Sequence, residues 1–231
     1  VINKQQKYKV IAVIPAFNEE GRILDVVEKT MPFVDQVIVV DDCSKDTTIG
    51  KAQTTGAVVL SLSENRGAGF ATRFGCESAI KNGATYIVTL DADGQHDRKD
   101  IPALLEMLIK NDLDLVFGYR EKDESMPFIK KIGNYTLAIL SKILFNVQRK
   151  DSLTGFHAFK AQSFPRISWQ SNRYGFIQEF VYSIHKNKLK FGEVRVKTIY
   201  LDKEVGMKKR DGLKSIYLLF HWKIKSLFRK T

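Results

Sequence analysis

The stretch Tyr86-Ile87-Val88-Thr89-Leu90-Asp91-Ala92-Asp93-Gly94-Gln95 decides the fold class. Its first five residues form a short, largely apolar run rich in β-branched and aromatic side chains. That pattern suits a strand covered on both faces, which is how strands of a parallel sheet are buried. The run ends abruptly in two carboxylates two residues apart, then a glycine that permits a tight turn. Working outward, the same unit recurs. Val10–Pro15 is an apolar run followed by Asn18-Glu19-Glu20, then by Ile23, Leu24, Val27 and Met31 at helical spacing. Val37–Val40 ends in Asp41-Asp42, and Asp46-Thr47-Thr48 reads as a helix start. Val58–Leu62 is a strand, Gly67-Ala68-Gly69 opens a helix over about Phe70–Asn82, and Ile101–Lys110 is a helix before the strand Leu115–Gly118. Strands alternating with helices predict an α/β fold with a mainly parallel sheet flanked by helices. Ligands in such sheets bind beyond the carboxyl ends of the strands. Three polar clusters sit at those ends, Pro15–Glu19, Asp41–Ser44 and Asp91–Gln95, so one crevice is expected to collect all three.

Composition narrows the class. With 231 residues, 44% of them hydrophobic, the chain can bury a substantial core. Five Pro, 15 Gly and 11% aromatic residues do not describe a disordered or collagen-like chain. Cys43 and Cys76 lack Cys or His partners at ligand spacing, so neither a disulfide framework nor a zinc site is expected. No apolar run is long enough to span a bilayer, and Val1–Lys9 lacks a signal-peptide core. The net charge of +11 is unevenly held. Residues 1–120 carry 14 basic and 17 acidic side chains, whereas residues 121–231 carry 23 and 9. The second half therefore faces something anionic: nucleic acid, a membrane surface or phosphates. No nucleic-acid-binding motif accompanies that charge, and none is expected to bind.

Asp91 and Asp93 pose a chemical problem. Adjacent carboxylates repel unless a cation or a proton intervenes. A hard divalent cation resolves this with carboxylate, amide and phosphate oxygens, and Gln95 offers a further oxygen. The competing description is a solvated acidic turn. His96 is either a ligand or a turn residue. Asp42 can accept hydrogen bonds from a base or ribose, or cap a helix, although Ser44 and Asp46 suit that task better. Gly67–Gly69 is a phosphate loop or a helix-entry device.

Val13-Ile-Pro-Ala-Phe-Asn-Glu-Glu20, Val39-Val-Asp-Asp-Cys-Ser-Lys-Asp46 and Leu90-Asp-Ala-Asp-Gly-Gln-His96 together resemble, in order and spacing, the motifs of family 2 glycosyltransferases. Phe117–Arg120, Met126–Lys131, Asp151–Phe156 and Gly206–Lys209 narrow the resemblance to the dolichol-phosphate mannose synthase branch, over roughly residues 9–225. The resemblance implies a GT-A fold, a nucleotide-sugar donor (GDP-mannose, or a UDP-sugar), Mg²⁺ or Mn²⁺, and a polyprenyl (dolichyl) phosphate acceptor. It implies inverting transfer of a hexose, mannose first, with glucosyl or other transfer to polyprenyl phosphate or a glycan hydroxyl as the alternative. Carried over, Pro15, Phe17, Glu19, Val40, Asp42, Asp91, Ala92 and Asp93 bind the donor, and Asp91, Asp93 and Gln95 hold the metal. Arg120, Lys130 and Lys209 meet the acceptor phosphate. Asp93, Arg120, Lys203 and Glu179 carry the catalysis, with Glu179 as a base or sugar contact, or else a structural acid. Asp151 and Gly155 shape a loop under the acceptor site. Phe17 stands where the family commonly has Tyr, Gly94 where Leu is common, and Lys130 and Lys203 where the branch has Arg. Lysine keeps the charge but loses the bidentate fork.

The domain expectation follows. Residues 1–211 form the catalytic domain, with a donor and metal half at 9–120 and an acceptor half at 121–211, and 212–231 is an amphipathic interfacial helix. At 100° per residue, Leu213, Ile216, Tyr217, Phe220, Ile224, Leu227 and Phe228 share one face, widened by Leu218, Leu219 and Trp222. Apolar bulk with Lys and Arg suits an anionic lipid surface, as does a second helix over Phe128–Val147. The alternative is that both helices pack on the domain or on another subunit. The expected location is cytoplasmic, peripheral on the cytoplasmic face of a membrane, with a membrane-anchoring partner compatible.

Overall fold

The computed structural model describes residues 8–120, 128–152, 154–167, 169–173, 175–197, 199 and 209–228. The first half follows the expected alternation: β1 (Val10–Ala16), α1 (Ile23–Thr30), β2 (Gln36–Asp41), α2 (Thr48–Gln53), β3 (Val58–Ser61), α3 (Ala68–Lys81), β4 (Tyr86–Thr89), α4 (Ile101–Lys110) and β5 (Leu115–Arg120). The second half adds α5 (Phe128–Phe145), β6 (His157–Lys160), a short α6 (Phe164–Ile167), α7 (Phe176–Asn187), β7 (Phe191–Val196) and α8 (Lys209–Phe228).

These strands make one seven-stranded sheet in the order β3-β2-β1-β4-β6-β5-β7. All pairings are parallel except those of β6, which runs antiparallel to both β4 and β5. The mainly parallel sheet flanked by helices is therefore as expected. Alternate side chains sort the two faces. Ile11, Val13, Ile38, Val40, Ile87, Leu115 and Phe117 point into a core shared with α3, α5, α7 and α8. Ala12, Ile14, Val37, Val39, Val88 and Val116 point into the other, under α1, α2 and α4. Trp169 anchors the first core. It lies 5.2–5.3 Å from the rings of Phe176 and Phe180 and donates its indole N–H to the Gly69 carbonyl at 2.8 Å.

The C-terminal helix corrects part of the expected face. α8 begins at Lys209 and packs on α5 and α7. Its docked side is Ser215, Leu219 and Trp222, with Trp222 stacked on Tyr182 at 4.8 Å. Leu219 and Trp222 thus belong to the core and do not widen a surface stripe. Tyr217, Phe220 and Ile224, three residues of the expected apolar face, are open to solvent at 67%, 45% and 55%. On α5, Tyr135, Ile139 and Ile143 likewise stand exposed at i, i+4 and i+8. Among the described residues no helix is long and apolar enough to cross a membrane. This division of α8 has a direct test. Leu219→Ala should cost about 3 kcal/mol of unfolding free energy, as for other buried leucines. Ile224→Ala should stay within about 0.5 kcal/mol. Urea denaturation of the two variants measures the contrast, and equal costs would contradict it.

Candidate functional site

The three polar strand ends are stitched into one rim. Asn18, at φ 55°, donates its N–H to Ser44 Oγ at 2.9 Å, and its side-chain oxygen accepts from Lys45 N at 2.8 Å. The Glu19 N–H donates to Thr48 Oγ1 at 2.8 Å, and Asp42 N–H to the Ala16 carbonyl at 2.8 Å. The third loop follows β4. Arg98, nearly buried, donates to the His96 carbonyl at 2.9 Å and to the Asp25 carboxylate at 2.8 Å. That pins the turn after β4 onto α1.

The paired aspartates are not equivalent. Asp91 keeps 46% of its side-chain surface open to the crevice. Its crowded surroundings alone would raise its pKa. The hydrogen bond and charge of His96, with the charge of Arg120, instead hold it below the usual carboxylate range. His96 Nε2 lies 3.2 Å from Asp91 Oδ2, and its ring packs 5.1 Å from Phe156. Opposite, the backbone at Gly155 closes on the carboxylate: a Cβ there would sit 2.6 Å from Asp91 Oδ2. Asp93 has less help. Burial raises its pKa and the charge of Asp91 raises it further, against the N–H of Gln95, which donates to Asp93 Oδ1 at 3.0 Å. Glu19 is pushed up as well, by burial first and in part by Asp93, while Arg22 bonds it at 3.3 Å. The electrostatics therefore place the ends of β1 and β4 in one field. Among the described residues no three His, Cys, Asp or Glu side chains gather around a common metal position.

Several expected donor residues take other positions. Phe17 stands on the rim at 44% exposure, and Pro15 and Glu19 are partly open. Val40 is wholly buried at the end of β2. Ala92 is also buried. Asp42 is buried too, and its two oxygens accept the N–H groups of Arg66 and Gly67, each at 2.7 Å. Its carboxylate thus holds the loop before α3, a task the sequence did not suggest beside contact with a base or ribose. The helix capped by Asp46 is α2, through Thr48 N at 3.0 Å. Gly67–Gly69 serves helix entry: the chain at 171–173 passes so close that a Cβ on Gly69 would meet the Ser171 carbonyl at 2.4 Å.

On the other side of β4, Arg120 ends β5. Its guanidinium grips Asp151 by two bonds, at 2.7 and 3.2 Å. Asp151 has no exposed surface and also accepts from Asn134 of α5 at 3.0 Å. The expectation that Asp151 shapes a loop here is met by this geometry. Glu179 is different. It is buried, and its two oxygens accept Gln170 N and Ser171 N at 2.8 Å each. That is a structural task and lends its expected role as a base no support. The side chains of Lys130 and Lys209, and all of Lys203, lie outside the described residues.

Sequence reasoning left out Arg22 and Arg98, and weighed His96 mainly as a turn residue. It also missed Arg149 and His157. Both are buried, and burial brings their pKa values down to about 10 and about 3. Arg149 lies over the Phe117 ring at 3.8 Å. The i,i+4 spacing of Asp93 and Asp97 around His96 gives no hint of the His96–Asp91 pair, because the turn between them is irregular.

Residues 11–167 match the family described as glycosyl transferase family 2. An uncharacterized protein of Methanocaldococcus jannaschii is 32% identical, over 96% of each chain. A Methanococcus voltae protein named UDP-N-acetylglucosamine–dolichyl-phosphate N-acetylglucosaminyltransferase is also 32% identical, over 93% of this chain and 96% of that one. An undecaprenyl-phosphate mannosyltransferase of Micrococcus luteus is 27% identical over 88% of each. Among solved structures, Mycobacterium tuberculosis glucosyl-3-phosphoglycerate synthase superposes with a TM-score of 0.72 at 20% identity, covering 93% of this chain and 80% of that one.

The aspartate asymmetry predicts opposite pH signatures. Asp91, lowered on folding, contributes stability above its unfolded value that is lost as pH falls through its folded value. Asp93, raised on folding, contributes stability below its unfolded value that is lost as pH rises through its folded value. Asp93→Asn should therefore raise the melting temperature of the metal-free protein at neutral pH, and His96→Ala should move the Asp91 titration upward. Calorimetry and carboxyl-carbon NMR read the two effects.

Proposed function

The chain belongs to glycosyltransferase family 2, and we propose that it transfers a sugar from a nucleoside-diphosphate sugar to a polyprenyl phosphate, with a divalent cation held at Asp91 and Asp93. The observation that carries this reading is the aspartate pair itself at the end of β4, Asp91 bonded by His96 at 3.2 Å and Asp93 pushed up by burial and by the charge of Asp91. Mg²⁺-type sites commonly use one or two carboxylates and leave the remaining positions to water and substrate phosphates. The two aspartates fit that share, and Gln95 stands beside them as a further oxygen donor. Bound there, the cation would neutralise the departing nucleoside diphosphate.

The rest of the chemistry belongs to the chain's own residues. A phosphate monoester is largely ionised near neutral pH, its second pKa being about 6. The acceptor then needs no strong protein base, which agrees with the structural employment of Glu179. It needs orientation and relief of repulsion against the donor diphosphate. Arg120, presented by buried Asp151, supplies both on the β5 side, and Lys130, Lys203 and Lys209 are further cations for the phosphates. His96 and Gly155 fix Asp91, and Phe17, Pro15 and Glu19 border the donor. Direct displacement inverts the sugar configuration. The Methanococcus voltae relative supports UDP-N-acetylglucosamine as the first donor to test. GDP-mannose, favoured by the sequence motifs, comes second, with the Micrococcus luteus relative as support. The exposed apolar residues of α5 and α8 would bring the enzyme to an anionic membrane surface, where a polyprenyl acceptor resides.

The test is a panel of nucleotide sugars incubated with Mn²⁺ or Mg²⁺ and a short polyprenyl phosphate, with products identified by mass. A lipid-linked sugar is expected from at least one donor, and chelation of the cation should abolish it. Asp93→Asn should lower the rate by at least about 100-fold, the loss of a main electrostatic contribution. Sugar on a glycan hydroxyl but not on the lipid would replace the acceptor assignment. No product from any donor would overturn the reading.

A further inference from the structure

A cavity of about 580 Å³ lies apart from the aspartates, lined by Arg66, Ser171, Arg173, Lys214, Ser215 and Leu218 among others. Three cations meet there against one acid, Glu64, whose carboxylate comes no closer than 3.8 Å to Arg66. Two of the cations are held in place. The Arg66 guanidinium lies flat against Phe70, 3.6 Å from the ring centre, and its backbone N–H is fixed by Asp42. The Arg173 stem occupies the space beside Gly67, where a Cβ would come within 2.8 Å of Arg173 Cγ. Gly67 has φ 94°, so that position is doubly suited to glycine. The third cation arrives with α8. Gly175 lets Leu218 seat against the loop, with a hypothetical Cβ only 2.5 Å from Leu218 Cδ1. Seating Leu218 brings Lys214, one turn earlier on the helix, to the cavity mouth. Neither Arg173 nor Lys214 has an ion-pair partner among the described residues.

The position of Lys214 on α8 identifies the occupant. Residues 214, 217, 221 and 224 share one helical face by their spacing. Lys214 therefore ends a stripe whose Tyr217 and Ile224 are solvent-exposed. A ligand with an anionic phosphate at one end and hydrocarbon at the other would satisfy the cavity and the stripe together. We propose that Arg66, Arg173 and Lys214 form a headgroup site for an anionic phospholipid, which fixes how α8 lies on the membrane. The proposal rests on the membrane-surface part of the proposed function. It adds a defined pocket to what would otherwise be diffuse attraction between a basic half and anionic lipid.

The test is co-sedimentation of the full chain with phosphatidylcholine vesicles, with and without phosphatidylglycerol. Each basic side chain at such a surface is worth about fivefold in binding. The double variant Arg173→Ala/Lys214→Ala should therefore bind phosphatidylglycerol vesicles about 25-fold more weakly. A double variant with the same charge change on the opposite face of the sheet, Lys29→Ala/Lys110→Ala, should bind nearly as wild type. Matching circular dichroism and melting temperatures keep the comparison valid. Equal weakening by both variants, or none by the first, overturns the pocket while leaving the membrane reading intact. Failure of the wild-type chain to bind phosphatidylglycerol vesicles overturns both. If the first variant keeps vesicle binding but raises KM for the nucleotide sugar, the cavity belongs to the donor and the proposal falls. Loss of vesicle binding by wild type in millimolar inorganic phosphate, at constant ionic strength, would show free phosphate as the occupant and also overturn it.

Discussion

Two carboxylates at the end of a buried strand repel one another, and the structure around β4 relieves only one of them. Asp91 receives the hydrogen bond and charge of His96 and the distant positive charge of Arg120. Asp93 is raised first by burial and then by the field of Asp91, against the backbone N–H of Gln95. Relieving both from within would have been simple: one more Arg at the crevice would do it. On the proposed reading, a cation bound at the pair would relieve these unfavourable electrostatics where the leaving diphosphate would be held. Folding stability is lower for the same reason. Sites of this kind commonly violate a local rule that the rest of the chain obeys.

Four other carboxylates near the crevice show the contrast. Asp42 accepts two loop N–H groups, Asp46 caps α2, Glu179 holds the chain at 170–171 and Asp151 holds Arg120. Each is satisfied by donors from the chain itself, as buried charges must be. These acids are the hinges between sheet and loops, and they set where the open groups stand. Arg120 illustrates the consequence. A lone Arg at a strand end would sample many rotamers, whereas a two-bond grip from a fully buried Asp leaves its planar fork in one orientation. An arginine so held can meet a phosphate without first losing conformational freedom.

Much of the first half was legible because its strands are short, apolar and separated by helices with clear starts. The bounds of the helix at Ile101–Lys110 coincide with those read from periodicity, and the strand ends at Asp41 and Asp91 fall within two residues of expectation. The second half hid more. β6, α7 and β7 went unassigned, since His157–Lys160 is only four residues long and Phe191–Val196 mixes charged with apolar residues. β6 also reverses direction, and no residue pattern announces a strand that pairs antiparallel on both sides. At the site, motif matching pointed to the aspartates but gave no sign that Val40 and Asp42 are buried, and it left Glu179 open between a base or sugar contact and a structural acid. A motif reports which positions matter to a fold's chemistry; it does not say whether a side chain faces a ligand or holds the wall behind it. Only the hydrogen-bond partners distinguish those roles.

The charge asymmetry of the chain acquires a physical division from the same geometry. Basic residues of the second half do not act as one undifferentiated patch. Arg149 is buried over Phe117, and Lys223 and Lys225 lie over the rings of Phe145 and Trp222. Each of those cations is already engaged by an aromatic ring. Among the described residues Arg173 and Lys214 have neither an ion pair nor a ring contact, although the walls around them are tightly built. A cation left without a partner on a well-packed surface costs little while water solvates it. Its attraction is then fully available to an arriving anion, since no internal bond must first be broken. The partners that do exist within the chain thus determine which part of the +11 charge can act on something outside it.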